Sequence, residues 1–214
     1  METTAALPMF PLSAVVFPHA RFPLHVFELR YQQLLRDVQA GDGTFGICLI
    51  ARGSEVGGGD ERVTVGTRVR LEHVEALGDG RSLVVAAGID RILVERWLPD
   101  DPYPRAAVQT LVEPPCVNCD ETLAETFKVV RQARALLSEV RDAPPLERDV
   151  LEGRTAAEAS WLLCALSPLG LYDAQKLLET DDPGRRLRRL QKLVEEVAEL
   201  THSLLAGGGE PTLS

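Results

Sequence analysis

The spacing of the apolar residues changes near residue 115, and this change constrains the fold more than any other feature of the sequence. Before that point, short apolar runs alternate with glycine and proline, which is typical of strands joined by turns. After it, apolar residues recur at intervals of three, four and seven, which is typical of amphipathic helices. We therefore expect two subdomains, residues 1–115 and 116–206, and a disordered tail at residues 207–214.

The first half predicts five or six strands. Leu7–Leu12 contains two prolines, and because proline lacks a backbone donor, this run predicts an edge strand or an extended arm. Residues 18–23 are bounded by prolines and predict a loop, whereas the apolar run at 44–51 predicts a buried strand. The four glycines of residues 53–60 predict a mobile loop.

One helix is predicted early in this half, over residues 27–39. Its buried stripe is expected to be Leu34, Leu35 and Val38, and Gly41 is a suitable residue to end it.

A long hairpin is predicted at the centre of the first half. Residues 63–71 alternate between apolar and polar, and the same phase carried forward predicts a semi-buried His73. A glycine-rich turn then leads into a long apolar strand at residues 83–97, in which Gly88 marks a bulge or a corner. Strands joined by hairpins around a long, bent central pair favour a small closed barrel.

The second half predicts a group of helices. Thr155 and Glu158 have the spacing of a capping box, and Asp182 before Pro183 is a typical helix start. A helix is predicted from Asp120, and a short one at residues 171–179. The apolar stripe of the helix from Asp120 consists of Leu123, Phe127, Val130, Leu137 and Val140.

Charge and composition exclude several classes of protein. The chain has 32 acidic and 23 basic residues, and its net charge of −9 argues against nucleic acid or an anionic membrane as a partner. No run approaches the roughly 18 apolar residues of a membrane span, and the N-terminus lacks the basic start of a signal peptide. Four cysteines are too few for a secreted disulfide framework, so we expect a cytoplasmic protein.

Two short motifs resemble binding sites. Residues 41–46 match G-x-G-x-x-G, but they follow a helix and precede a strand, so we interpret them as a loop. Cys116 and Cys119 have C-x-x-C spacing just before a helix. We favour ordinary linker residues there, with a zinc site completed by distant ligands and a redox dithiol as alternatives.

The charged and histidine side chains show no catalytic motif. The basic block at residues 185–189 is interpreted as a solvated helix face with local ion pairs, and nucleic-acid binding is its alternative. His19 and His25 flank the proline-bounded loop and are candidates to line a surface pocket. We predict no catalytic residue, no metal and no cofactor.

Several runs together resemble the Lon substrate-binding (Lon N-terminal) domain family. They begin with Leu-Pro-Met-Phe-Pro-Leu at residues 7–12 and Pro-Leu-His-Val-Phe-Glu-Leu-Arg-Tyr at residues 23–31. They continue with Gly88 and Arg91, and with Gln-Lys-Leu-Leu-Glu at residues 175–179. Ile92 departs from the family, which commonly has an aromatic residue after the arginine.

The resemblance implies an α+β fold, a PUA-like small β-barrel with one inserted helix, followed by a C-terminal helical bundle. It also implies a bacterial, non-catalytic protein-binding module that recognises exposed apolar or unfolded polypeptide segments in protein quality control. The chain ends before an ATPase or protease module begins, so we expect a stand-alone homologue. The expected partners are client polypeptides, and a protease and a second copy of the chain are the further candidates.

The candidate binding residues lie at the start of the chain. We expect rims formed by the loop of residues 17–24 and the glycine loop. Glu28, Arg30 and Tyr31 carry the family motif and are expected mainly to hold a strand-to-helix corner through an Arg–Glu pair. The full set of candidates is Phe17, His19, Phe22, His25, Glu28, Arg30 and Tyr31.

Two other functions remain alternatives. PUA-like barrels are also used on RNA, so an RNA-binding domain is the first, although the acidity of both halves argues against it. An unrecognised enzyme is the second, and a pocket joining His19, His25 and Glu28 would be its first candidate site.

Overall fold

The computed structural model describes residues 6–52, 61–78, 80–138, 146–147 and 149–207. They form two compact units. The first unit contains the residues up to Glu113 together with Ala174–Glu179, and the second contains Pro114–Asp173 and the residues from Thr180 onward. Domain limits of 1–115 and 116–206 stay our proposal for the organisation of the chain.

The first unit holds the strands and one complete helix of the described chain. Its helix α1 spans Leu29–Ala40, with the predicted residues Leu34, Leu35 and Val38 buried. The strands are β1 Leu7–Leu12, β2 Arg21–Val26, β3 Thr44–Arg52, β4 Glu61–Arg62, β5 Val65–Leu77, β6 Arg81–Leu98 and β7 Arg105–Thr110.

The strand pairings form a closed ring, as a small barrel requires. β1 pairs with β7, β7 with β6, β6 with β5, β5 with β3, and β3 returns to β1 in parallel. The interpretation of β1 as an edge strand or arm was therefore wrong. Its prolines are tolerated because each pairs with a neighbouring strand on one side only, Pro8 with β7 and Pro11 with β3. Neither therefore has to donate a hydrogen bond to strands on both sides.

A strand lies where the sequence predicted a loop. β2 pairs antiparallel with β6 over its whole length, with Pro23 opposite Val85. The proline concealed this strand, because it fits only at a position whose nitrogen points away from the partner strand.

His73 is exposed, which corrects the expectation of a semi-buried histidine. Leu71 pairs with Ala86 but His73 pairs with Val85, so Glu72 is an extra residue in β5. One inserted residue reverses the inside–outside alternation beyond it, and a bulge of this kind is not visible in apolar spacing.

The core of the first unit joins α1 to the sheet. Its largest cluster includes Phe10, Phe45 and Val69 from the strands, and Tyr31 from α1, whose ring stacks on Phe10 with centroids 4.0 Å apart. This packing places the corner between β2 and α1, at Phe27 and Glu28, on the surface of the unit.

The second unit contains the remaining helices of the described chain. Thr155 and Glu158 form the predicted capping box, and Asp182 accepts a bond from the backbone N–H of Arg185 at the predicted helix start. Val140 and residues 208–214 of the predicted tail lie outside the described residues. The helices are α2 Asp120–Ser138, α3 Ala156–Leu166, α4 Leu171–Leu178 (whose residues from Ala174 belong to the first unit) and α5 Pro183–Gly207.

Arg186 is fully buried in the second unit, which corrects the interpretation of the basic block as a solvated face. Its guanidinium lies 3.2 Å from the ring centroid of Trp161 and donates to the hydroxyl of Ser160 and the carbonyl of Thr180. The other arginines of the block, at positions 185, 188 and 189, are exposed as predicted.

Cys116 and Cys119 form a disulfide immediately before α2. Cys48 and Cys164 are buried and take no part in the disulfide, as expected of small core residues. Across the described part of the chain, no group of three or more histidine, cysteine or acidic side chains is arranged to hold a metal ion.

The fold is thus α+β, as the sequence predicts. Within the described ranges, none of the helices combines the length and the hydropathy needed to cross a bilayer.

Candidate functional site

Three large apolar side chains are exposed around β2. Phe27 is 51% exposed, Leu29 81% and Leu83 44%. A folded domain normally exposes such residues singly, and a group of them is typical of an interaction site. We call the surface formed by Pro23, His25, Phe27, Leu29 and Leu83 the β2 surface.

The alternation of β2 and its register on β6 place Pro23, His25 and Leu83 on one face beside Phe27, and Leu29 follows Phe27 by two residues in the chain. Leu24 and Val26 point into the core, so Pro23 and His25 point to solvent. His25 lies directly opposite Leu83 in the β2–β6 ladder, and its ring centroid is 6.0 Å from that of Phe27. Directly opposed residues have their Cβ atoms about 5 Å apart, so His25 and Leu83 are in contact range.

The corner after β2 is held in place by hydrogen bonds. Gln32, one turn into α1, donates from Nε2 to the carbonyl oxygen of Phe27. Arg30 donates from Nε to Glu28 Oε2 at 2.9 Å, and its guanidinium lies 4.5 Å from the ring centroid of Tyr31. The Glu28–Arg30 pair is half-buried, and it therefore fixes the corner that presents Phe27 and Leu29.

The loop before β2 is pinned to β6. The backbone N–H of His19 donates to the carbonyl of Gly88, and the N–H of Gly88 donates to the carbonyl of Ala20. A Cβ at position 88 would lie 2.2 Å from the carbonyl oxygen of Phe17, so only glycine permits this contact. The loop predicted as a rim is therefore a fixed part of the sheet surface.

The predicted site residues lie in three kinds of environment. Phe17 is buried, and Phe22 is half-buried against the core. His19 is exposed and has a positive φ of 60°. Among the predicted residues, only His25 belongs to the β2 surface, and the glycine loop of residues 53–60 lies outside the described residues.

Sequence reasoning missed Phe27, Leu29 and Leu83 as site residues. The alternation of residues 21–26 would have placed Pro23 and His25 outward, but only once β2 was known to be a strand. Leu83 lies on the same outer face as His25, because the β2–β6 register sets the two residues opposite each other. That pairing joins strands that are far apart in the sequence.

The first unit also has a cavity of about 520 Å³, lined in part by Asp37, Asp42, Arg68 and Tyr103. The tyrosine and the charged side chains of this lining already have partners in the protein. Asp37 accepts from the hydroxyl of Tyr103 at 2.7 Å, and Arg68 forms a bidentate pair with Asp90.

The pKa values in this cavity follow from the same contacts. Burial, followed by the hydrogen bond to Asp37, raises the pKa of the Tyr103 phenol to about 12. Hydrogen bonds from the backbone N–H and the hydroxyl of Thr44 lower the pKa of Asp42. These pairings account for the polar groups, so the cavity is a weaker candidate than the β2 surface.

The chain matches a protein-family model over nearly its whole length. The model of the ATP-dependent protease La (LON) substrate-binding domain matches residues 6–196.

The similar curated proteins are bacterial Lon proteases. That of Trichlorobacter lovleyi is 27% identical over 201 residues, which cover 91% of this chain and 24% of that protein. Lon protease 2 of Herpetosiphon aurantiacus is 28% identical over 215 residues, covering 94% of this chain and 25% of that protein. The chain thus spans about a quarter of the length of these relatives.

Two solved structures share the fold. The crystal structure of a Lon N-terminal domain protein from Xanthomonas campestris has a TM-score of 0.64 and 28% identity, over 88% of this chain and 98% of that one. The N-terminal domain of a Mycobacterium avium complex Lon protease has a TM-score of 0.61 and 19% identity, over 90% and 99% of the two chains.

Proposed function

The chain belongs to the family of Lon substrate-binding domains, and on that premise we propose that it binds exposed apolar segments of unfolded polypeptides through the β2 surface. The family match supports a role as a substrate-binding module. The apolar nature of the substrate and the place where it binds are our proposal.

The observation that carries this proposal is the group formed by Phe27, Leu29 and Leu83. Unfolded chains differ from folded ones in exposing apolar side chains, so an apolar surface on a recognition module selects for them. Asp37, Tyr103 and Arg68 of the cavity are already paired within the protein, whereas the apolar side chains of the β2 surface are exposed and available for contact.

The size of the surface predicts weak, reversible binding. Full burial of a large apolar side chain is worth about 1.5–3 kcal/mol, and these three are already partly covered. Their sum is a few kcal/mol, which is comparable with the cost of association, estimated at 4 kcal/mol or more. Weak contacts suit a module that holds a client briefly and releases it.

We propose that the module has no catalytic activity of its own and acts in the cytoplasm on client polypeptides, which it delivers to a protease. The relatives are proteases, but this chain matches only their substrate-binding part, so their peptide cleavage is not transferred to it.

The test is binding to reduced, carboxymethylated α-lactalbumin, a permanently unfolded protein, measured by fluorescence anisotropy. We expect Phe27→Ser and Leu83→Ser to weaken binding. Val112→Ser is the matched control, since Val112 is 85% exposed in the same unit but follows β7. Binding that all three variants retain would reject the β2 surface, and retention of RNA instead of the unfolded protein would favour an RNA-binding domain.

A further inference from the structure

The second side of β2 has no neighbouring strand among the described residues. β2 pairs with β6 alone, and no other described strand lies against its outer edge. A free strand edge carries backbone donors and acceptors that another extended chain can bind.

The register shows which groups of β2 face outward. Gly88 N–H donates to the carbonyl of Ala20, so residue 20 points its backbone groups toward β6. In an antiparallel ladder this orientation alternates, so Phe22, Leu24 and Val26 also face β6. The backbone groups of Arg21, Pro23 and His25 therefore face the free edge.

The free edge thus has an uneven pattern of donors. Arg21 and His25 each present an N–H and a carbonyl, while Pro23 between them presents a carbonyl only. Only an extended backbone has donors and acceptors at a matching two-residue repeat, since each residue of a strand advances about 3.3 Å. A side chain, a helix or a small molecule does not reproduce that repeat.

The side chains next to this edge suit an extended apolar segment. An added strand would place alternate residues on the two faces of the sheet. One set would lie beside His25 and Phe27 on the outer face. The other would lie beside Phe22, which is half-buried against the core at the inner face.

We propose that client polypeptides bind as an added β-strand along the free edge of β2, through backbone bonds to Arg21, Pro23 and His25. This inference rests on the proposed function, and it specifies the bound conformation of the client. Backbone pairing also supplies binding energy that does not depend on sequence, which the few apolar contacts of the β2 surface lack.

The residue types of β2 allow a direct test. Pro23→Ala adds one outward N–H to the edge, and His25→Pro removes one, while neither change touches a bond to β6. His25→Ala is the matched control, because it removes the same imidazole and keeps the N–H. The probe is a nonapeptide that alternates leucine with serine and carries a lysine at each end.

We expect Pro23→Ala to bind the nonapeptide roughly fivefold more tightly than the parent, the effect of one net hydrogen bond. His25→Ala gives the effect of losing the imidazole, and His25→Pro should bind roughly fivefold more weakly than His25→Ala, the effect of the N–H. Amide hydrogen exchange should show new protection at His25 on binding, with no change at Leu24, whose N–H faces β6.

The outcomes separate the two proposals. If Phe27→Ser weakens binding while Pro23→Ala binds like the parent and His25→Pro binds like His25→Ala, strand addition is wrong and the apolar function stands. If the parent binds neither the nonapeptide nor unfolded α-lactalbumin, the proposed function fails and strand addition falls with it. If His25→Pro does not fold, Pro23→Ala decides: unchanged affinity, or dimerisation without tighter binding, overturns the inference.

Discussion

Arg91 donates a hydrogen bond from Nη1 to the backbone carbonyl oxygen of Leu178, 3.1 Å away and 87 residues later in the chain. Leu178 ends α4, where helix carbonyls lack a partner within the helix. Gln175 makes a parallel contact, from Nε2 to the carbonyl of Val65 in β5. These two bonds join residues 174–179 to the strands of the first unit, and they connect two runs by which the family is recognised.

Replacing Arg91 should destabilise the first unit strongly. Arg91 is 2% exposed and also lies 3.5 Å from Glu113, so Arg91→Leu would remove the donor to the Leu178 carbonyl and the buried cation beside a half-buried carboxylate. We expect a loss of about 2–4 kcal/mol in the free energy of unfolding, measured by urea denaturation. Arg21→Leu is the control; its pair with Glu72 is largely exposed and should be worth less than about 1 kcal/mol. Equal effects of the two changes would contradict this account.

Gly88→Ala should displace the loop of residues 17–20. The added Cβ would lie 2.2 Å from the carbonyl oxygen of Phe17, a contact that the rigid backbone must move to relieve. We expect a destabilisation of about 1–3 kcal/mol, together with faster amide exchange at His19. Gly78→Ala is the control, because nothing lies within 4 Å of a Cβ there. Unchanged exchange at His19 would show that the loop is not pinned by β6.

Arg186→Leu should destabilise the second unit, whereas Arg185→Leu should not. Arg186 is buried over Trp161 and bound to Ser160, while Arg185 is exposed one residue earlier. We expect a loss of about 2–4 kcal/mol for Arg186→Leu, because the change removes the hydrogen bonds to the Ser160 hydroxyl and the Thr180 carbonyl and the contact with Trp161. Thermal unfolding followed by tryptophan fluorescence measures it, and similar melting temperatures for the two variants would count against a structural role of the buried arginine.

The stability of the first unit should fall between pH 10 and pH 12 in a way that depends on Tyr103. The folded protein keeps the phenolic proton up to a pKa of about 12, whereas the unfolded chain releases it near its ordinary value of 10.0. The stabilisation is therefore complete below pH 10 and is lost as the pH rises to 12.

Tyr103→Phe removes this titration and should flatten the corresponding part of the pH profile, by about 1–3 kcal/mol. Absorbance of the tyrosinate ion measures the titration directly. If the parent and Tyr103→Phe lose the same stability over this range, the phenol is not held by burial and Asp37.

Local signals in the sequence predicted the helices well. The stripe of Leu34, Leu35 and Val38, the capping box at Thr155 and the start at Asp182 each depend on neighbouring residues only. The change in the spacing of apolar residues near residue 115 likewise lies between the strands and four of the five described helices.

Features that depend on distant residues were not predictable in this way. The bulge at Glu72 reversed the orientation of His73, and Pro23 concealed β2 because its nitrogen points to a free edge. The burial of Arg186 requires Trp161 on another helix. The β2 surface depends on the register that sets Leu83 beside His25, so its apolar members were missed.

The most direct test of the proposed function is site-specific photocrosslinking of the full chain to reduced, carboxymethylated α-lactalbumin. A photoreactive benzoylphenylalanine replaces Phe27 in one variant and the more exposed Val112 in another, and both are first shown to be folded. We expect a strong, saturable crosslink from position 27, displaced by an excess of the leucine–serine nonapeptide, and little from position 112. Equal crosslinking from both positions, or none from position 27, would contradict the proposal that the β2 surface receives unfolded polypeptides.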